Sequence, residues 1–286
     1  MIEGLHNLTD AHYRKLAAVS QSFLNRMEEN PALAKAGIYP EKKSMRMGTL
    51  LHLALCEPTK LKEKLLLQPD FGAMQSSTNR AKRDAWLADQ NPEAIVLTDK
   101  EMHKITVMID SVRRKKLTGA IAERLGAREV MDLMSDASAE ITALWMDGTT
   151  RCKAKLDVLD RRGRFVMDVK KTKNASMDEF MRSVINFNYH RQAAWYLEGA
   201  TRATGQPVED YLWLAVEEEP VVLEGRDVVG VHVMIADEAV LSTGHVEIMK
   251  LFEEYKGRVE RDDFPFYSDE ISIASLPSWK VAKTRE

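Results

Sequence analysis

Cys152-Lys153-Ala154-Lys155-Leu156-Asp157-Val158-Leu159, Asp160-Arg161-Arg162-Gly163, and Arg164-Phe165-Val166-Met167-Asp168-Val169-Lys170 follow one another without a break. The first and third segments are short runs rich in β-branched and other apolar residues, and the middle one is built of turn formers. Immediately upstream, Glu140 to Met146 has the same strand character, and Asp147-Gly148 is a hairpin signal before a partner strand from Arg151 to Leu159. The reading is a meander of antiparallel strands carrying Glu140, then Asp157, then Asp168 with Lys170. Side chains alternate along a strand, so Asp168 and Lys170 project from one face.

An Asp-x-Lys triplet alone is common on solvated strand faces. Its placement on a strand adjoining the one that carries Asp157 changes its meaning. Carboxylates that converge on one point repel unless they are protonated or bridged by a cation. Oxygen-rich ligand sets that leave positions for water suit Mg²⁺ or Mn²⁺, which bind phosphate oxygens and acidify a bound water. An ammonium on the same face, Lys170, can orient that water, take its proton, or stabilise charge on a pentavalent phosphorus.

Downstream, Ser176 and Glu179 have capping-box spacing and open a short helix through Phe180 and Val184. A longer helix runs from about Tyr189 to Arg202 and puts Gln192 and Tyr196, four apart, on one face. These two either reach the substrate beside the metal or fill an ordinary helix interface. The nearly all-apolar run Tyr211 to Val216 reads as a central strand covered on both faces, and the helices before it are long enough for a crossover into parallel pairing. A strand pair at about 220–235 and a helix from about 237 to 259 follow.

Upstream the chain reads as helical. A start at Leu8-Thr9-Asp10 continues through Phe23-Leu24 until Pro31, Met47 to Leu55 forms a buried helix stopped before Pro58, and the Thr98/Glu101 capping box opens a helix over about 99–116. His52 lies on the largely apolar second of these, as either a satisfied core histidine or a metal ligand.

Composition narrows the class. The 286 residues are 44% hydrophobic and 30% charged, with 14 Gly, 9 Pro and no low-complexity tract, which excludes disordered and collagen-like chains. Two cysteines, Cys56 and Cys152, cannot assemble a four-cysteine cluster. A net charge of −3 argues against a protein that coats nucleic acid by counterion release, but not against an enzyme that grips it locally. Basic clusters at Arg80/Lys82/Arg83, Arg113 to Lys116, Arg161/Arg162/Arg164 and Lys170/Lys171/Lys173 read, taken singly, as solvated faces. No leader or membrane-spanning run is evident, so a cytoplasmic protein is expected.

Four segments, in order, resemble the RecE-type exonucleases (the exonuclease VIII C-terminal nuclease domain) of the RecB-like branch of PD-(D/E)xK nucleases. They are Gly48-Thr49-Leu50-Leu51-His52, Cys152-Lys153-Ala154-Lys155-Leu156-Asp157, Val166-Met167-Asp168-Val169-Lys170-Lys171-Thr172 and Tyr189-His190-Arg191-Gln192-Ala193-Ala194-Trp195-Tyr196. The likeness runs from Ser20-Gln21-Ser22 to Leu276-Pro277-Ser278-Trp279. It implies an α/β fold with a restriction-endonuclease-like core: an antiparallel meander, crossover helices and a parallel strand, preceded by an N-terminal helical portion. It also implies that Asp157 and Asp168 are metal-binding acids, Lys170 the catalytic lysine, His52 an extra metal ligand, Gln192 and Tyr196 the Q-x-x-x-Y pair, and Glu140 the acid of the first core strand.

The expectation is therefore one nuclease domain over 1–286, mainly helical to about 125 and catalytic from about 126 to 286, close to a bare nuclease domain. It would be a Mg²⁺-dependent (or Mn²⁺-dependent), ATP-independent exonuclease that digests double-stranded DNA 5′→3′. The 3′ single-stranded tails would pass to a single-strand annealing protein during recombination, and the enzyme would work as a homo-oligomeric ring around the duplex. Arg46, near the His52 helix, is the candidate contact to a DNA phosphate. The alternatives are a catalytically silent end-binding or recombinase-loading module of the same fold and a related nuclease of different polarity.

Overall fold

A computed structural model of the chain describes residues 3–38, 46–267, 271 and 273–276; the end of the expected likeness at Pro277-Ser278-Trp279 lies outside them. The contacts of the chain divide into two compact units, one of residues 1–21 and 41–248, the other of 22–40 and 249–286.

The N-terminal segment differs from the continuous helix expected there. It holds β1 (Gly4–His6), α1 (Asp10–Lys15), α2 (Gln21–Glu29) and α3 (Pro31–Lys35). Helix α1 starts where expected, with the Thr9 side chain accepting from His12 N–H, but ends after Lys15. Its last carbonyls, those of Tyr13 and Leu16, accept from the Lys153 ammonium at 2.9 Å each, and Val19 is drawn into extended pairing with Arg151 and Lys153. Pro31 opens a helix instead of merely ending one, because a missing N–H is harmless at the first helical position and Asn30 caps it.

Next come α4 (Arg46–Cys56), α5 (Pro58–Lys64), β2 (Leu65–Leu67), α6 (Ser77–Ala88), β3 (Ile95–Leu97) and α7 (Asp99–Arg114). The expected capping box of α7 forms, with Thr98 and Glu101 satisfying each other's backbone N–H. The portion to 125 is mainly helical, as expected, with three short strands among its helices. β1 joins the main sheet, and β2 and β3 pair in parallel as a sheet of their own. Runs of three apolar residues carry too little periodicity to separate strand from helix.

After α8 (Ala120–Leu125) and α9 (Val130–Ser135), the meander consists of β4 (Ala137–Asp147), β5 (Thr150–Asp160) and β6 (Phe165–Thr172). α10 (Met177–Asn186) and α11 (Tyr189–Thr204) cross over to β7 (Asp210–Glu217), which pairs with β6 in parallel, as its apolar run implied. Ser176 stands at the N-cap of α10 but makes no side-chain cap bond, so that expected box is not formed; Glu179 is turned to Arg182. The expected strand pair near 220–235 is three strands: β8 (Val221–Leu223) and β9 (Arg226–Val228) form a separate hairpin, and β10 (Val231–Ile235) adds antiparallel to β7. α12 (Glu238–Arg261) follows. The main sheet of the described residues runs β1-β4-β5-β6-β7-β10.

Alternation decides what each face of β6 does. Met167 and Val169 pack in a core with Leu50 and Leu51 of α4, Met108 of α7 and Leu212 and Leu214 of β7. Asp168, between them, points the other way, toward α11. Helix α11 lies close because residue 199 is glycine: a Cβ there would stand 2.7 Å from the Trp145 ring. The second unit is tied internally by an edge-to-face contact of Phe23 and Tyr255, with ring centroids 5.3 Å apart, and by an ion pair of Lys35 and Asp262.

The turn that sets β6 against β5 is organised by buried Asp160. Its carboxylate accepts from the backbone N–H of Arg162 and Arg164, 3.1 Å each, and from the Arg164 guanidinium at 2.7 and 3.0 Å. Burial disfavours its charge, but the Arg164 guanidinium and these N–H groups outweigh that and hold its pKa below the usual carboxylate range. A depressed carboxyl pKa contributes stability that is present above the unfolded value and lost as pH falls through the folded one. Asp160→Ala is expected to cost roughly 2 kcal/mol at neutral pH, the scale of hydrogen bonds to a charged group. The cost should shrink in acid below the ordinary carboxylate pKa, as urea melts of the two proteins across pH will show.

Candidate active site

The β4–β5 ladder pairs Ala139 with Val158 and Ile141 with Leu156, so Glu140 stands opposite Asp157. The β5–β6 ladder ends at Val158 paired with Met167, and the same register carried one residue on sets Asp157 opposite Asp168. Glu140, Asp157 and Asp168 thus form a row across the meander, and neither rung between them is a regular ladder pair. The irregularity extends to the backbone: Glu140 has φ +52°, the left-handed region, inside a strand.

His52 comes to this row from α4. Its Nδ1 lies 3.3 Å from Asp157 Oδ2 and 3.7 Å from Glu140 Oε1. One ligand atom each from His52, Glu140 and Asp157 lie within 4.8 Å of one another. Of the two readings open for His52 from sequence, the geometry places it in the acidic cluster. Asp157 is further fixed by the backbone N–H of Val169, which donates to Oδ2 at 2.8 Å.

Asp168 belongs to a second, adjoining group. Its Oδ2 is 2.6 Å from the Lys170 ammonium, its Oδ1 accepts from Gln192 Nε2 at 2.8 Å, and Gln192 Oε1 accepts from Lys170 at 2.9 Å. The amide of Gln192 therefore bridges the acid and the lysine. Lys170 also lies 4.4 Å from the centre of the Tyr189 ring. Tyr196, one turn beyond Gln192 and in hydrogen-bond contact with it, packs edge-on against Tyr211.

The electrostatics are those of a cation-demanding site. Burial opposes charge on His52, but Asp157, the hydrogen bond His52 donates to Glu140, and Asp168 outweigh it and raise the imidazole to about 9. Burial pushes the Asp157 carboxyl up and the Asp168 charge adds to that, with the His52 imidazolium acting against both. Glu140 is held low: burial works against its charge, but His52 and Lys155 more than compensate. Protons now share this cluster, and one imidazole nitrogen with two carboxylate oxygens is a donor set that fits a divalent ion in their place.

Two residues escaped the sequence reading. Lys155 binds Glu140 Oε2 at 2.8 Å and Asp10 as well. Its position two residues before Asp157 on a strand was a usable signal; nothing in the sequence pointed to Asp10. Arg46 is engaged elsewhere: its Nε is 2.7 Å from Glu101 Oε1 and it also donates to the Val96 carbonyl, so a phosphate must compete with a carboxylate for it. Much of the other basic charge is neutralised locally, as Arg114 by Asp110, Lys116 by Glu129, Arg162 by Asp136 and Lys171 by Glu218.

A family model described as a PDDEXK-like domain of unknown function (DUF3799) matches residues 12–276. No curated protein matches the chain. Among solved structures, a candidate exonuclease from Eubacterium rectale is similar with a TM-score of 0.55 and 12% identity, over 96% of this chain and 98% of that one. A phage-related exonuclease from Haemophilus somnus 129PT gives a TM-score of 0.30 and 9% identity, over 72% of this chain and 95% of that one. The expected α/β, PDDEXK-like fold is the fold of this chain. No helix of the described residues is long and apolar enough to cross a membrane.

Asp157→Asn removes one like charge from the buried row while leaving an oxygen for the Val169 N–H. In EDTA it is expected to melt about 2–4 °C above the wild type, corresponding to ~1 kcal/mol for a chain of this size. The stabilisation that millimolar Mn²⁺ gives the wild type should be absent. Thermal melts with and without Mn²⁺ check both halves, and a variant that melts lower in EDTA yet still shifts with Mn²⁺ contradicts the assignment.

Proposed function

The chain belongs to the PDDEXK-like DUF3799 family, and from that premise we propose that it is a divalent-metal-dependent exonuclease acting on double-stranded DNA ends. The observation that carries this reading is the meeting of His52, Glu140 and Asp157 beside the Asp168–Lys170–Gln192 group. The E. rectale protein of the same fold, itself a candidate exonuclease, accords with it.

His52, Glu140 and Asp157 would hold the ion, with Asp168 completing the acidic set as the resemblance to RecE-type exonucleases implies. Mg²⁺, or Mn²⁺ in its place, supplies Lewis acidity toward phosphate and a water of lowered pKa when bound. Lys170, fixed from two sides by Asp168 and Gln192, keeps its ammonium charged; burial opposes that, but the Asp168 charge overcomes it. That charge is available to the phosphorus as it gains negative charge on attack. Gln192 carries the alignment of Asp168 to Lys170, and Tyr196 backs Gln192 from the next turn of α11.

Polarity, products and assembly rest on the resemblance: digestion 5′→3′ without ATP, 3′ single-stranded tails, a ring of identical chains around the duplex and delivery of the tail to an annealing protein. A ring would locate DNA affinity on an inner surface, which reconciles the net charge of −3 with a polyanionic substrate. Arg46 remains the proposed phosphate contact, with Glu101 as the group it would leave.

Linear duplexes labelled at the 5′ or the 3′ end, given to the wild type and to Asp168→Ala with Mg²⁺ and no ATP, test the proposal. Early release of 5′-labelled mononucleotides is expected, stopped by EDTA and reduced at least 100-fold in the variant, about 3 kcal/mol of barrier. Binding of ends with no cleavage in Mg²⁺ or Mn²⁺ would replace the exonuclease with a silent end-binding module. Early loss of the 3′ label would reverse the polarity.

A further inference from the structure

Two-metal nucleases use a carboxylate shared between ions about 4 Å apart, one ion for the attacking and one for the leaving oxygen. Glu140 is the carboxylate in this site that faces two ways. Its Oε1 looks toward His52, 3.7 Å away, in the cluster with Asp157. Its Oε2 is held at 2.8 Å by the ammonium of Lys155. Asp10 of α1 also pairs with that ammonium. Lys155 is therefore one ammonium shared by two carboxylates, Glu140 and Asp10.

Several features make this position a built one. The Lys155 side chain is 15% exposed and that of Glu140 16%, so little water competes for that pair, while the Asp10 side chain, 64% exposed, is the solvent-facing partner. Asp10 is delivered by a segment anchored independently of Lys155, through pairing of β1 with β4, the bond of Val19 to Arg151, and the hold of Lys153 on the end of α1. Asp168 meets Gln192 and Lys170 instead of Lys155, so Glu140 is the acid of the row that borders the Lys155 position.

Resting on the metal-site reading above, we propose that Lys155 is a built-in cation that occupies the second metal position, so that the centre binds a single divalent ion. Lys155 is a positioning residue in this scheme. It leaves Glu140 one free oxygen to offer to an ion and neutralises the charge that would otherwise draw a second. Lys155→Ala vacates a position flanked by Glu140 Oε2 and Asp10 and admits a second ion there. Lys155→Arg keeps the charge and the stoichiometry.

Mn²⁺ titration by calorimetry, with electron paramagnetic resonance of the loaded proteins, reads this without catalysis. The wild type and Lys155→Arg are expected to bind one Mn²⁺ per chain with an uncoupled signal. Lys155→Ala should bind two with a spin-coupled signal, and Lys155→Ala with Asp10→Asn should return to one. Circular dichroism melts establish that each variant is folded; Lys155→Met, which removes the charge but fills the space, is likewise expected to bind two and decides the matter if the alanine variant is unstable. Two coupled ions in the wild type, or one ion in folded Lys155→Ala, would overturn the proposal while leaving the metal site in place. A wild type that binds no Mn²⁺ would remove the metal site itself.

Discussion

Like charges forced together away from water set the terms for the rest of this structure. Glu140, Asp157 and Asp168 occupy neighbouring strands in one row, and a buried carboxylate row disrupts the sheet that carries it unless cations come to it. The regular β5–β6 pairing stops at the row, and the rung between Glu140 and Asp157 is missing. The compensating groups arrive from three directions: His52 from α4, Lys170 from the strand itself, and Lys155 from the strand before, backed by Asp10. The helix arrangement follows from this need, since α4 must present His52 while burying Leu50 and Leu51, and α11 must present Gln192 while lying flat on Trp145.

The core of the fold was legible in the sequence because its signals are local and redundant. Two turns with Gly148 and Gly163 fix a hairpin pair, the period of two puts Asp168 beside Lys170, and the apolar run of β7 announces a strand buried between helices. The two ends of the site differed in this respect. Helix period put Gln192 and Tyr196 on one face, and the structure adds that Gln192 meets Asp168 and Lys170. The link from Asp10 to Lys155 joins residues 145 positions apart through a three-residue strand and a six-residue helix, both too short to show a period. The uninterrupted N-terminal helix failed for the same reason. The end of α1 is capped by Lys153, a lysine on a distant strand, and no property of residues 8–24 encodes that contact.

Net charge and local charge also part company here. A net charge of −3 supplies no general attraction to a polyanion, and many of the arginines and lysines pair with acidic neighbours at short range. Specific placement of the remaining charge then matters more than its amount. Lys170 lies under the Tyr189 ring and between Asp168 and Gln192, a position in which its charge is directed by contacts on several sides.

The backbone of Glu140 shows how the requirement is met against local preference. A left-handed residue within a strand costs on the order of 1–3 kcal/mol and persists only where its surroundings over-determine it. Here the ladder continues in unbroken register on both sides, Ala139 with Val158 and Ile141 with Leu156, so the distortion is confined to the one rung facing Asp157. A glycine at this position would remove the strain and with it the carboxylate that engages His52 and Lys155. The sequence keeps the glutamate, and a locally unfavourable conformation at the meeting point of three charged partners is what a site selected for binding, rather than for stability, is expected to contain.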